Sequence, residues 1–179
     1  LTVKNGSVTI VYTQVIVNDN PPLSNFTSTA PNCEGIGIDF QSTGTGSGTF
    51  SWNFGSGATP ATSTAQNPTG IIYNTPGCKT VQLISTVGGN NDTSEQVIYI
   101  IRQPQVSFNH NGPQCEGSPV NFNYSGSTGT GCTYIWDFNA SANPAISSAN
   151  SPQGILYNSN GNQSVTLTVA NGVCSDTAT

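Results

Sequence analysis

The sequence predicts an all-β protein built from tandem β-sandwiches, and two observations support this prediction. Short β-branched and aromatic runs alternate with Gly, Pro, Ser and Asn throughout the 179 residues, and no apolar set recurs with a helical period. The chain also repeats itself at an interval of 82 to 84 residues, which suits a small independent domain better than a solenoid unit. With about seven short strands in each unit, two packed antiparallel sheets are the expected architecture.

The repeat defines the expected domain boundaries. Residues 1–21 are predicted to be the C-terminal strands of a preceding repeat, because residues 1–6 match residues 167–172. Residues 22–104 and 105–179 are predicted to be two sandwiches of the same plan. The motifs that recur are Cys33-Glu34-Gly35 with Cys115-Glu116-Gly117, Trp52-Asn53-Phe54 with Trp136-Asp137-Phe138, Ala58-Thr59-Pro60-Ala61 with Ala142-Asn143-Pro144-Ala145, and residues 67–74 with 151–158.

The N-terminal piece is predicted to be a β-hairpin. Asn5-Gly6 is a strong hairpin-turn signal, and residues 8–17 after it are mostly β-branched. The second sandwich is expected to lack its final strand, because the first one continues through residues 96–101 and the second stops at Thr179. Since an open sheet edge attracts a strand, we expect the 8–17 strand of one copy to fill the open edge of another copy or of its own array.

Composition excludes several classes of function. Three Lys and Arg against eight Asp and Glu give a net charge of −5, which argues against nucleic acid as a partner because a phosphate-binding surface needs a basic patch. No apolar run is long enough to insert into a membrane. Five cysteines and no Met favour an oxidising compartment. The protein is therefore expected to be extracellular.

Neither a catalytic site nor a cofactor is expected. His110 is the only histidine, so a Ser-His-Asp triad could be built in one unit alone. The best local cluster for calcium is Asp137 with Asn139 and Asn143, but Asn53 stands where Asp137 does in the other copy, which argues against a shared site. Asp19 and Asn20 at the first linker are a weaker calcium candidate.

These motifs resemble the PKD (polycystic-kidney-disease) domain family. The family's signature is Trp-Asp-Phe-Gly-Asp-Gly, then Asn-Pro with an aromatic residue, then a strand that follows a Gly. Here these elements are Trp52 to Gly57, Asn67-Pro68 to Tyr73, and the strand after Gly77, with counterparts in the second unit. The acidic pair of the turn is lost in the first unit and half lost in the second. The resemblance implies immunoglobulin-like sandwiches in which Trp52, Trp136, Tyr73 and Tyr157 are core aromatics; the alternative for both Trp residues is a sugar-stacking platform.

The resemblance also suggests how the cysteines pair. In a sandwich of this type Cys33 and Cys78 are expected at one pole and are predicted to form a disulfide. For the second unit a Cys132–Cys174 bond is favoured, with Cys115–Cys174 as the rival. Because three cysteines allow one bond, Cys115 is the candidate for an unpaired thiol.

The Cys-Glu-Gly opening most resembles PKD repeats of large secreted proteins from gliding bacteria. The resemblance implies a non-catalytic stalk of an outer-membrane-attached adhesin at the bacterial cell surface, serving adhesion and gliding motility. Its expected partners are neighbouring repeats and a surface polysaccharide or abiotic surface. The alternative is a polysaccharide- or protein-binding accessory module of a secreted hydrolase. Exposure of Trp52, Trp136, Tyr12, Tyr99 and Tyr134 discriminates between the two, because a planar row of exposed rings favours the accessory module.

Overall fold

The computed structural model describes residues 2–5, 8–11, 21–112, 114–127 and 131–179. In these ranges every regular element is a β-strand, and all the paired strands are antiparallel. Across the same ranges, no helix has the length and apolar character that a membrane crossing requires. The all-β fold class expected from the sequence is confirmed.

The N-terminal residues form the predicted hairpin. Strand β1 (Thr2–Asn5) pairs with β2 (Val8–Val11), and Asn5 lies opposite Val8. The rest of the predicted 8–17 strand, including Tyr12, lies outside the described residues, and so do Asp19 and Asn20.

The first sandwich contains eight strands in two layers. One layer is a four-stranded sheet in the order β10-β9-β5-β7, and the other contains the pairs β3-β4 and β6-β8, which are joined by an Ile38–Ile71 bridge. The strands are β3 (Phe26–Ser28), β4 (Phe40–Ser42), β5 (Thr49–Asn53), β6 (Ala58–Thr59), β7 (Thr62–Ser63), β8 (Ile72–Tyr73), β9 (Gly77–Val87) and β10 (Asn90–Ile100).

The second sandwich has the same plan. Its four-stranded sheet has the order β15-β13-β17-β18, and its other layer contains β11-β12 and β14-β16, joined by a Val120–Ile155 bridge. The strands are β11 (Phe108–His110), β12 (Phe122–Tyr124), β13 (Thr133–Asp137), β14 (Ala142–Asn143), β15 (Ile146–Ser147), β16 (Leu156–Tyr157), β17 (Thr166–Ala170) and β18 (Ser175–Ala178).

Each sandwich has its own core, centred on the aromatic strand. Trp52 stacks on Phe54 with ring centroids 5.8 Å apart, and Trp136 stacks on Phe138 at 5.7 Å. Because alternate residues of a strand point to the same face, the Trp-x-Phe spacing places both rings in the core. Each indole N–H is satisfied by a loop carbonyl, that of Ala65 at 2.8 Å in the first sandwich and that of Ala149 at 2.9 Å in the second.

The final strand of the second sandwich is present but short: β18 has 4 residues where β10 has 11. β18 pairs with β17 through four residue pairs, at the place where β10 begins to pair with β9. Asp176 on β18 accepts a hydrogen bond from the Val106 backbone, just as Asp92 on β10 accepts one from Ser24. Small and polar residues gave this strand no apolar signal in the sequence, but backbone pairing requires none.

Candidate functional site: the junction between the sandwiches

The junction begins with the Cys-Glu-Gly turn of the first sandwich. Gly35 has a φ of +75°, a left-handed conformation that glycine adopts without steric cost, and its N–H donates to the Tyr73 carbonyl at 2.9 Å. The chain leaving β10 runs beside the turn, because the Glu34 N–H donates to the Ile101 carbonyl at 2.8 Å. As a result Cys33 is buried, with 6% of its surface exposed.

The second component is the hairpin loop between β17 and β18. The Asn171 N–H donates to the Cys174 carbonyl at 3.0 Å, and the Asn171 Oδ1 accepts from the Cys174 N–H at 3.2 Å. This pair of bonds within the loop fixes Cys174, which is 1% exposed.

A disulfide joins these two components. Cys33 is bonded to Cys174 across a sequence separation of 141 residues, with the Cα atoms 5.8 Å apart. Two hydrogen bonds flank it: the Asn171 Nδ2 donates to the Arg102 carbonyl at 2.7 Å, and the Gln103 Nε2 donates to the Ser175 carbonyl at 3.2 Å. The bond therefore crosses from one sandwich to the other.

This pairing corrects the disulfide predictions. Cys33 is not bonded to Cys78, and Cys174 is bonded to neither Cys132 nor Cys115. Cys78 and Cys115 are exposed and unpaired, and Cys132 is unpaired and half-buried. The predictions assumed that both cysteines of a bond lie in the same sandwich. In the structure, the end of the first sandwich that carries Cys33 faces the β17–β18 hairpin of the second.

The junction residues Asn171, Arg102 and Gln103 were missed by sequence reasoning. A signal was nevertheless present: Cys33 and Cys115 are the only cysteines that recur in both units, whereas Cys174 matches Asn90 in the first. A cysteine present in one copy alone has no partner prescribed by the repeat. Cys78 and Cys132 also occur in one copy alone and are unpaired, so this signal marks candidates and does not single out Cys174.

The four aromatic residues predicted to lie in the cores are buried and offer no binding platform. Trp52, Trp136 and Tyr73 are at most 1% exposed, and Tyr157 is 8% exposed. Tyr134 packs edge-on against Tyr124 at 5.2 Å, whereas Tyr99 is 61% exposed on the outer face of β10.

Burial also shapes the acid–base behaviour of these tyrosines. It raises the pKa of Tyr73 to about 12, and it raises the pKa of Tyr157 as well. The Tyr73 hydroxyl donates to the Phe54 carbonyl at 2.7 Å, and the Lys79 ammonium lies 5.8 Å from the centre of its ring. The phenol thus acts as a neutral hydrogen-bond donor inside the core.

The former calcium candidates have a structural role in this fold. The Asp137 Oδ1 accepts from the Asn139 N–H at 2.9 Å, and the Asn53 Oδ1 accepts from the Gly55 N–H at the same distance. An amide and a carboxylate therefore hold the same turn, because either can supply the one acceptor that it needs. Within the described ranges, no group of three His, Cys, Asp or Glu side chains lies close enough to hold a metal ion.

The only histidine is the last residue of β11 and precedes a polar loop. His110 is exposed, its Nδ1 accepts from the Gly112 N–H at 3.0 Å, and its ring lies 5.9 Å from that of Phe122. Its hydrogen bond shapes the loop that follows it.

Comparison with known proteins identifies one matching family. Residues 105–179 match the family model described as PKD domain. No curated protein matches the chain. Among solved structures, the chain is similar to one titled "Structure of amphioxus IgVJ-C2 molecule", with 13% identity and a TM-score of 0.33, over 81% of this chain and 94% of that one. The family match, together with the two antiparallel layers of the second sandwich, supports an immunoglobulin-like PKD domain at residues 105–179, a type of module that is generally extracellular and non-catalytic.

Proposed function

We propose that this chain is a segment of tandem PKD repeats that serves as a rigid, non-catalytic stalk of a bacterial cell-surface adhesin. In this proposal the stalk is attached to the outer membrane, carries a distal binding site away from the cell, and serves adhesion and gliding motility. A surface polysaccharide or an abiotic surface is the target of the adhesin as a whole. The observation that carries the proposal is the Cys33–Cys174 disulfide between the sandwiches.

The disulfide alters how the chain would respond to tension. A force applied at the two ends would pass from Cys33 directly to Cys174, so the 141-residue interval between them would bear none of it. Both cores lie almost entirely inside this interval. A covalent bypass of this kind protects folded domains from mechanical unfolding, which suits a stalk under load.

The hydrogen bonds beside the disulfide support a fixed junction. Asn171 and Gln103 bind backbone carbonyls across it, from opposite sandwiches, and Pro104 in the connecting segment is buried. Because proline fixes φ, the connection is stiffer than a Gly- or Ser-rich linker would be. Bending the junction would therefore break both hydrogen bonds.

The alternative, an accessory module of a secreted hydrolase, has less support. Such a module would bind an insoluble polymer through a planar row of exposed aromatic rings. Both Trp residues are core residues, and Tyr99 is exposed without an aromatic neighbour among the described ring pairs. The stalk is therefore the preferred proposal.

Single-molecule force spectroscopy tests the stalk mechanism. The oxidised chain, pulled from its two ends, is expected to show no unfolding step from the disulfide-closed interval. Adding a reductant should release about 500 Å of further contour length, since 141 residues extend by about 3.6 Å each. Full extension of the oxidised chain without reductant would contradict the mechanism.

Two variants control this measurement. Cys174→Ser should give the long extension without reductant, because it removes one half of the bond. Cys78→Ser should behave like the unmodified chain, because Cys78 is exposed and unpaired.

The location of the parent protein is tested separately with an antibody raised to this segment. A very large band from intact cells that disappears after external protease would support a surface adhesin. A smaller band released into the medium would favour the accessory module of a hydrolase.

A further inference from the structure

The second sandwich has an open groove at the pole that carries its Cys-Glu-Gly turn. The groove has a volume of about 1040 Å³ and borders Cys115 and Glu116. Its apolar lining comes from both layers of the sandwich and includes Val106, Phe108, Val120, Phe122, Tyr157 and Val165.

In the first sandwich the corresponding space is filled by β10. Ile98 and Ile100 on this strand belong to the core and are 8% and 0% exposed. β10 reaches this position because it pairs with β9 as far as Ile100 opposite Gly77. In the second sandwich β18 pairs with β17 only as far as Ala178 opposite Leu167. No described strand therefore covers the groove, and Phe108 is half-buried where Phe26 is 2% exposed.

A buried polar group in the groove lining lacks its partner. The Tyr157 hydroxyl is buried and makes no hydrogen bond within the described part of the chain, whereas the Tyr73 hydroxyl donates to the Phe54 carbonyl at 2.7 Å. An unsatisfied buried hydroxyl is destabilising, because it has lost its hydrogen bonds to water and gained none in exchange. The Tyr157 side chain therefore lines the groove without the hydrogen bond that holds its counterpart in the first sandwich.

The turn beside the groove is built like the turn that forms the observed disulfide. Gly117 has a φ of +74° and donates to the Tyr157 carbonyl at 3.2 Å, as Gly35 at +75° donates to Tyr73. Cys115 therefore occupies in the second sandwich the position of Cys33 in the first. The difference is that Cys33 is bonded to the hairpin of the following sandwich, whereas Cys115 is exposed and unpaired.

We propose that the groove and the Cys115 turn together dock a further sandwich of the same kind. A strand with branched apolar residues at alternate positions fills the groove, as Ile98 and Ile100 do in the first sandwich. The sandwich that follows this strand brings a hairpin-loop cysteine, the counterpart of Cys174, to Cys115. This inference rests on the proposed tandem stalk and adds to it a rule for joining one unit to the next.

The bond would form by thiol–disulfide exchange with a small-molecule disulfide. The Cys115 thiolate attacks one sulfur of this oxidant and forms a mixed disulfide, releasing one small thiolate. The thiolate of the incoming hairpin cysteine then attacks the Cys115 sulfur and releases the second small thiolate. Two protein thiols lose two protons and two electrons, and the oxidant is reduced to two thiols.

The test is a lengthened chain in which a copy of residues 96–179 follows Thr179. By the 84-residue repeat this places the strand containing Ile98 and Ile100 beside the groove and a third sandwich after it. After oxidation with glutathione disulfide, a non-reducing peptide map is expected to show Cys115 bonded to the Cys174 of the appended copy. Cys115 should then lose its reactivity towards an alkylating reagent, while the exposed Cys78 remains reactive.

Two variants make the result specific. Cys115→Ser should leave the appended Cys174 open to alkylation. Replacing Ile98 and Ile100 by Asn in the appended copy alone should prevent the strand from entering the groove and leave Cys115 reactive. A map in which Cys115 stays unpaired while Cys33–Cys174 is intact would overturn the proposal, and so would a bond from the appended Cys174 to Cys78 or Cys132.

A second measurement applies if the lengthened chain does not fold. A synthetic peptide of residues 94–103, added to the 179-residue chain, should slow the alkylation of Cys115 and leave that of Cys78 unchanged. An equal rate of Cys115 alkylation with and without the peptide would also overturn the proposal. So would protection of Cys115 without any peptide, if it arises from association of chains through the 8–17 strand. The force measurement on the unmodified chain is independent of Cys115, so the stalk mechanism and this inference can fail separately.

Discussion

The side chains at positions 53 and 137 show how one turn tolerates two residue types. Asn53 and Asp137 both accept a backbone N–H two residues further on, at 2.9 Å. The residues that donate have positive φ, +76° at Gly55 and +66° at Asn139. An acidic residue at this place is therefore replaceable wherever its role is to hold the turn.

Exchanging these residues should have little effect on stability. Asn53→Asp and Asp137→Asn keep the acceptor, so the free energy of unfolding should change by less than about 0.5 kcal/mol. Asn53→Ala and Asp137→Ala remove the acceptor and should destabilise by about 1 kcal/mol each. Urea unfolding measures all four. If the exchanges destabilise as much as the alanine variants do, charge rather than hydrogen bonding determines this turn.

Because the pKa of Tyr73 is raised, we expect the folded chain to lose stability at alkaline pH. Its pKa is about 12 in the folded chain and 10.0 for an ordinary tyrosine. As the pH rises from 10 to about 12, the unfolded phenol loses its proton while the folded one keeps it, so the free energy of unfolding should fall. Ultraviolet titration of phenolate and denaturant unfolding over this pH range measure the two effects. In Tyr73→Phe the decline should be shallower, and an unchanged slope would contradict the assignment.

At the scale of the element, alternation along the strand determines which residues of β10 are buried. Tyr99 is 61% exposed and its neighbour Ile100 is fully buried in the first core. The two residues point to opposite faces because a strand has a period of two. The same alternation let the sequence predict that the Trp52 and Trp136 strands lie in the cores.

Substitutions of Ile100 and Tyr99 should have very different effects on stability. Ile100→Ala should destabilise the first sandwich by about 2–5 kcal/mol, because it removes buried methyl groups and leaves a cavity. Tyr99→Ala should change stability by about 0.5 kcal/mol or less. Chemical unfolding of the two variants provides the comparison. Similar losses for both would mean that the outer face of β10 is covered by another surface.

Polar elements were harder to predict than apolar ones. β18 consists of Ser, Asp, Thr and Ala, so no hydrophobic alternation marked it, and only its backbone pairing with β17 identifies it as a strand. By contrast, the hairpin of β1 and β2 was marked by β-branched residues and by Asn5-Gly6. A sequence signal therefore existed where side-chain burial or turn geometry determines the structure, and it was weak where backbone hydrogen bonds alone do so.

At the scale of the whole molecule, the repeat predicted the two sandwiches but misplaced the disulfide. The repeat relates equivalent positions within separate units, and it carries no information about which end of one unit faces the next. Pairing Cys33 with Cys78 assumed that both partners lie in one sandwich, whereas the partner Cys174 is 141 residues away in the other. The junction is a tertiary arrangement, which local patterns do not encode.

The disulfide should also stabilise the molecule against unfolding in solution. It closes a 141-residue interval, so it restricts the unfolded chain strongly, and a contribution of roughly 2–5 kcal/mol is expected. Cys174→Ser should lower the denaturant midpoint accordingly. Cys78→Ser is the decisive control, because it would break the bond predicted from the sequence but leaves the observed bond intact. Unchanged stability in Cys78→Ser with a loss in Cys174→Ser is expected, since only the latter frees the two sandwiches from each other. The reverse pattern would place the bond within the first sandwich, and the covalent path through the junction would then not exist.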